Sequence, residues 1–135
     1  MNEDSIFTKI IKGEIPCSKV YEDEHTLAFV DMQPIQFGQV VVVPKVQVPT
    51  IWDLPAGDYQ ALMATVQKVG QRMRDVYTHK QFIGVNIEGL GVRNHAHVKV
   101  YPFDDGPEYH HDPANDPHLT PEAMNEIAAQ LYIHD

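Results

Sequence analysis

Over Ser5 to Lys12 the apolar residues Ile6, Phe7, Ile10 and Ile11 recur at three and four positions, the spacing of one helical face. With Asp4 or Ser5 as N-cap and Gly13 as the stop, this predicts a short amphipathic helix. Glu14 to Ser18 contains Pro16 and is expected to turn. Lys19 to Glu22 and Thr26 to Asp31 then read as two strands around a polar Glu22-Asp23-Glu24-His25 turn, a hairpin pattern. After a connector over Pro34 to Gly38, Gln39 to Pro44 is a continuous β-branched run, which predicts a central strand. The longest helical signal lies between Ala56 and Tyr77, where Leu62, Met63, Val66, Val69, Met73 and Val76 keep to one side. Gly70 inside it costs about 1 kcal/mol of helix propensity and suggests close packing against another backbone. Phe82 to Ile87 is the next predicted strand, followed by a glycine-containing loop over Glu88 to Asn94.

His95 to Pro102, His-Ala-His-Val-Lys-Val-Tyr-Pro, alternates with a period of two. As a strand it shows His95, His97 and Lys99 on one face and Ala96, Val98 and Val100 on the other. Beyond it the periodicity fails: Phe103 to His118 holds four Asp, one Glu, three His, three Pro and one Gly, and 103–119 is expected to be an irregular acidic, histidine-containing loop. Thr120 as N-cap and Pro121 at the first turn start a C-terminal helix expected over 120–133. The order of elements predicts an α+β fold around an antiparallel sheet, with 1–135 as one domain and no internal repeat.

Side chains two apart on a strand lie ~6.5–7 Å apart, so the His95, His97, Lys99 row could serve one small ligand. A neutral imidazole is a nucleophile near pH 7, a second can move a proton, and an ammonium attracts an anion such as phosphate. Nucleotidyl or phosphoryl transfer uses all three groups. The octet by itself also fits the solvated face of an antiparallel sheet. A metal site is disfavoured, because no Cys or carboxylate stands at ligand spacing beside the histidines, and His110, His111, Asp112 and His118 lack a fixed framework.

The formal net charge of −9 disfavours a nucleic-acid backbone or an anionic membrane as partner, while leaving room for a local cationic pocket that takes a small nucleotide. One cysteine, Cys17, allows no internal disulfide and reads as a filler near a turn. No apolar run approaches the ~18 residues of a membrane span and the N-terminus lacks a basic-then-apolar leader pattern, so a cytoplasmic protein is expected.

Taken together, S-I-F-T-K-I-I-K-G-E-I-P (5–16), V-Y-E-D-E (20–24), L-A-F-V-D (27–31), V-V-V-P-K (41–45), N-I-E-G (86–89) and H-A-H-V-K-V-Y-P (95–102) resemble the histidine triad (HIT) family. The resemblance implies a homodimer whose subunits each contribute a five-stranded antiparallel sheet. It implies a purine nucleotide or nucleoside monophosphate conjugate as ligand, and no cofactor or metal is expected. It makes His95 the first triad position, His97 the nucleophile at the α-phosphorus of an ester or phosphoramidate, and Lys99 the third position. By the same resemblance Asp31 matches the carboxylate for the ribose hydroxyls, Asn86 a phosphate-side amide, and Ile6, Phe7, Ile10, Ile15 and Phe29 the apolar wall around the base.

The chain departs from the family pattern at Lys99, where a third histidine is usual, and at Gln39 and Gln47, where many members carry histidine. The phosphate loop is replaced by Gly89 to Asn94, in which Arg93 and Asn94 either donate to phosphate or are solvated. Gln39 is grouped with the nucleotide-binding positions. Two functions follow: a nucleotide hydrolase or transferase working through a nucleotidyl-histidine, and a nucleotide-binding regulatory dimer that has lost turnover. Lysine at its ordinary pKa does not shuttle protons near neutrality, which bears on the leaving group.

Overall fold

The fold was taken from a computed structural model that describes residues 3–89 and 94–134. A short helix α1 (Ile6–Ile11) leads into strands β1 (Lys19–Glu22), β2 (Thr26–Val30) and β3 (Val40–Pro44). Helix α2 (Ala56–Val76) follows a single 3-10 turn at Ile51–Asp53, and β4 (Phe82–Glu88) and β5 (His97–Phe103) complete one antiparallel sheet in the order β1-β2-β3-β5-β4. The chain ends through a one-turn helix α3 (Gly106–Tyr109), a 3-10 turn (Pro113–Asn115) and helix α4 (Pro121–Leu131). The α+β class, the five-stranded antiparallel sheet and the three main helices are those the patterning predicts.

The β-branched run of β3 is central because both of its faces are covered. Val40 and Val42 join Leu62, Val66, Val69 and Met73 of α2, with Ile127 and Leu131 of α4, in the larger core. Val41 and Val43 face the other way, onto Phe29, Leu27 and Phe7 of α1, in a smaller one. Fully burying side chains of this size contributes about 1.5–3 kcal/mol each, so α1, with Phe7 as its one buried residue and Ile10 and Ile11 partly buried, is held by less apolar burial than α2 or α4.

Three expectations are corrected. A Cβ built on Gly70 meets nothing within 4 Å, so no backbone packs there. Residues 103–119 are irregular only in part: β5 runs on to Phe103, Asp105 caps α3 by accepting from Glu108 N–H, and Asp112 caps the 3-10 turn by accepting from Ala114 N–H. The Asp and Pro residues that hid any periodicity are the caps and first turns of these short elements. Tyr109 of α3 stacks on Tyr101 at 5.7 Å and its carbonyl accepts from the Tyr101 hydroxyl at 3.1 Å, so α3 is pinned to the sheet. Finally, α4 ends at Leu131, and Ile133 N–H then donates to the Val20 carbonyl at 3.0 Å, tying the chain end to β1.

Candidate functional site

On the α1 side of the sheet lies a hollow of about 440 Å³, within the range of small-ligand sites. The strand register builds it. Phe29, Val41, Lys99 and Asn86 form one row across β2, β3, β5 and β4, and the period of two puts their side chains on one face. Ile6, Phe7 and Ile10 of α1, with Ile15, Phe29 and Val41, supply its apolar wall, and Asp31, His97 and Lys99 supply polar groups. The predicted apolar wall and these three polar residues are therefore brought together. Pro113, His118, Pro121, Met124 and Asn125 also line the hollow, so the segment after Pro102, which the sequence suggests closes over the site or a dimer interface, borders it.

His97 is held from two sides. Its Nδ1 lies 2.8 Å from the His95 carbonyl, which can only accept, so Nδ1 carries the proton and, in the neutral ring, Nε2 carries the lone pair. Phe7 packs edge-on against the ring at 4.8 Å. The side chain is 1% exposed, so the imidazole is set in one orientation before any ligand arrives.

His95 does not share the hollow, contrary to the reading that placed both imidazoles before one ligand. It precedes β5, where Ala96 N–H bonds the Val48 carbonyl instead of the β3 ladder, and its ring is turned into the protein. Nε2 donates to the Pro44 carbonyl at 2.8 Å and Nδ1 accepts from the Ser5 hydroxyl at 2.7 Å. Burial holds His95 below the usual imidazole range, against the pull of the Pro44 carbonyl, and nearby His97 lowers it further. His95 is thus a neutral strut whose own carbonyl orients His97. Gln47 completes the brace: its side-chain oxygen accepts from Ser5 N–H and the Thr8 hydroxyl, and its amide donates to the Glu3 carbonyl.

Gln39 is likewise buried and stands behind the site instead of lining it. Its amide donates to Asp31 Oδ2 at 2.8 Å while its oxygen accepts from Ile35 N–H, and Gln33 N–H donates to Asp31 Oδ1 at 2.9 Å. These bonds aim the Asp31 carboxylate. They depend on the turn at Gly38, whose φ of +96° suits glycine and where a Cβ would stand 2.7 Å from the Tyr77 hydroxyl.

Asn86 lies opposite Lys99 on the edge strand and is not among the residues lining the hollow. Asn94 is exposed, with φ of 53°, a left-handed conformation that Asn tolerates. Arg93 lies outside the described residues.

The residue that sequence reasoning missed is Glu88. It pairs with His97 across β4 and β5, and its Oε1 lies 3.6 Å from His97 Nε2 and 3.1 Å from Lys99 Nζ. Its Oε2 accepts from Lys99 at 3.1 Å, so the third position of the histidine row is one half of an ion pair. The alternation Asn86, Glu88 in Phe-Ile-Gly-Val-Asn-Ile-Glu was the available signal, since an adjacent antiparallel strand sets both residues against Lys99 and His97. Among the described residues no cluster of three His, Cys, Asp or Glu side chains is arranged to hold a metal.

Comparison with known proteins agrees with this architecture. A family model described as the HIT domain matches residues 12–106. Adenylylsulfatase HINT3 of Arabidopsis thaliana is 36% identical over 105 residues, 76% of this chain and 53% of that protein. The purine nucleoside phosphoramidase of Escherichia coli K12 is 40% identical over 62 residues, 46% of this chain and 52% of that one. The match thus spans about half the length of each of these curated relatives. Among solved structures, a Hit-like protein from Bartonella henselae, crystallised with an unknown ligand, superposes with a TM-score of 0.84 at 25% identity, covering 96% of this chain and 95% of that one.

Proposed function

This chain belongs to the HIT-domain family, and from that premise we propose that it is a nucleotide hydrolase or transferase in which His97 Nε2 attacks the α-phosphorus of a nucleoside monophosphate ester or phosphoramidate. The observation that carries the reading is the 2.8 Å bond from His97 Nδ1 to the His95 carbonyl, which leaves the lone pair on Nε2 of a ring lining a hollow that also holds Asp31 and Lys99. Asp31, an acceptor with two oxygens, suits a vicinal diol, and Ile6, Phe7, Ile10, Ile15 and Phe29 suit a flat apolar base, taken as a purine. Attack forms a P–N bond and expels the leaving group, and water or another acceptor then releases the nucleotide. The phosphoramidase activity named for the Escherichia coli relative and the adenylylsulfatase activity named for the Arabidopsis one belong to the same reaction class.

We place the protein in the cytoplasm as a homodimer. No described helix is long and apolar enough to cross a membrane. Edge strand β4 pairs only with β5 in the sheet order and exposes Phe82, Val85 and Ile87, a surface suited to a second copy. The regulatory-dimer reading draws on Lys99, Gln39 and Gln47 together, with Lys99 ion-paired to Glu88 at 3.1 Å. Turnover of adenosine phosphoramidate and adenylyl sulfate decides between them. The enzyme reading expects release of adenosine monophosphate that falls by at least ~10³-fold in His97→Ala, a loss comparable to removing a nucleophile elsewhere. Nucleotide binding without turnover in the parent protein would favour the regulatory dimer.

A further inference from the structure

Resting on the nucleotidyl-histidine reading above, we propose that Glu88 is the general base that takes the proton from the water hydrolysing that intermediate. Four observations converge on it. Glu88 is the cross-strand partner of His97, and its Oε1 stands 3.6 Å from the Nε2 that carries the nucleotidyl group. Lys99 Nζ grips both carboxylate oxygens at 3.1 Å, which fixes the carboxylate and offsets its repulsion with an incoming phosphate. Lys99 itself is no substitute, since an ammonium has three donors and no acceptor. His95, the other histidine of the row, has both ring nitrogens bonded away from the hollow, to Pro44 and Ser5.

The step balances without any co-reactant but water. As the water oxygen forms its bond to phosphorus, one O–H bond breaks and its proton passes to the Glu88 carboxylate. The P–Nε2 bond breaks with its electron pair returning to the ring, which is left neutral with Nδ1–H on the His95 carbonyl. The nucleoside monophosphate departs, and Glu88 gives its proton to solvent. The third position of the row is thereby a two-residue device, in which Lys99 steadies charge and Glu88 moves the proton.

The test is a rapid-quench time course with adenosine phosphoramidate, reading the nucleotidyl adduct by intact mass in the full-length protein. Glu88→Gln is expected to form the adduct within a few-fold of the parent rate and to lose it ~10²-fold or more slowly, the usual size of a general-base contribution, so that the adduct accumulates. Glu88→Asp, which keeps the carboxylate, recovers part of that rate. Lys99→Met, which removes the ammonium and keeps the base, is expected to slow adduct formation more than decay. Adduct decay in Glu88→Gln equal to the parent's overturns the role of Glu88 and leaves His97 as nucleophile. So does an equal slowing of decay in Lys99→Met, which would make the ion pair, not the base, responsible. Absence of adduct and of released nucleotide in every form overturns the nucleotidyl-histidine reading and this proposal with it.

Discussion

At the scale of single residues, the site works by fixing protonation through backbone carbonyls, which have no choice but to accept. The Pro44 carbonyl sets the tautomer of His95 and the His95 carbonyl sets that of His97. Burial lowers the pKa of His95 from that of an ordinary imidazole. The unfolded chain therefore binds a proton at this position that the folded chain does not, and stability falls as pH drops below about 6.5. Replacing His95 with Asn is expected to flatten the slope of unfolding free energy between about pH 6.5 and 5, measured by urea titration at several pH values; an unchanged slope would mean that His95 is not buried neutral. Asp31 is aimed by Gln33 and Gln39, and the proposed function gives its two acceptor oxygens to the ribose. Asp31→Asn should weaken binding of adenosine monophosphate by about 1.5–3 kcal/mol, the range for hydrogen bonds to a charged group. Calorimetry with the 2′,3′-dideoxy analogue should show no such loss, and an equal loss for both ligands would remove Asp31 from the ribose.

At the scale of elements, much was legible because period and register are physical. The alternation of His97, Val98, Lys99 and Val100 places each residue on the face the structure shows, with Val98 and Val100 in the larger core and His97 and Lys99 at the hollow. The same alternation misplaced His95, because a period of two speaks only for residues inside the strand, and the strand begins at His97. Glu88 is missed for a related reason: the apolar pattern ends the predicted strand at Ile87 and leaves Glu88 in the loop, whereas β4 runs on to Glu88 and sets it against His97. Gly38 and Gln39 show another limit, since a buried amide that aims a carboxylate looks in sequence like any loop glutamine. In α2, the helix pattern suggests a packing contact at Gly70, and the structure has open space there instead. Gly70→Ala is expected to raise the unfolding free energy by about 0.5–1 kcal/mol, read from a urea midpoint shift at constant slope; a decrease would reveal a close neighbour after all.

At the scale of the whole molecule, the hollow is assembled from both ends of the chain. α1 forms one wall and the segment from Pro113 to Asn125 forms another, laced down by Leu119 N–H on the Met32 carbonyl, Gln33 on the Asp116 carbonyl and Ser18 on Asn125. Composition gave this segment as an acidic loop because its order comes from caps and long-range bonds, neither of which leaves a periodic trace. The opposite side of the sheet ends in β4 with Val85 and Ile87 each 43% exposed, and both point to the face on which their partners Val100 and Val98 are buried. Introducing Val85→Glu with Ile87→Glu is expected to yield a monomer by sedimentation velocity, whereas a parent protein that sediments as a monomer would contradict the homodimer. His97 as nucleophile is the centre of the proposed chemistry, and intact mass spectrometry after brief incubation with adenosine phosphoramidate, quenched under conditions that spare phosphohistidine, tests it directly. The expected result is a nucleotidyl increment on the parent protein that is absent from His97→Ala; nucleotide release with no adduct at His97, or the same adduct on His97→Ala, would contradict it.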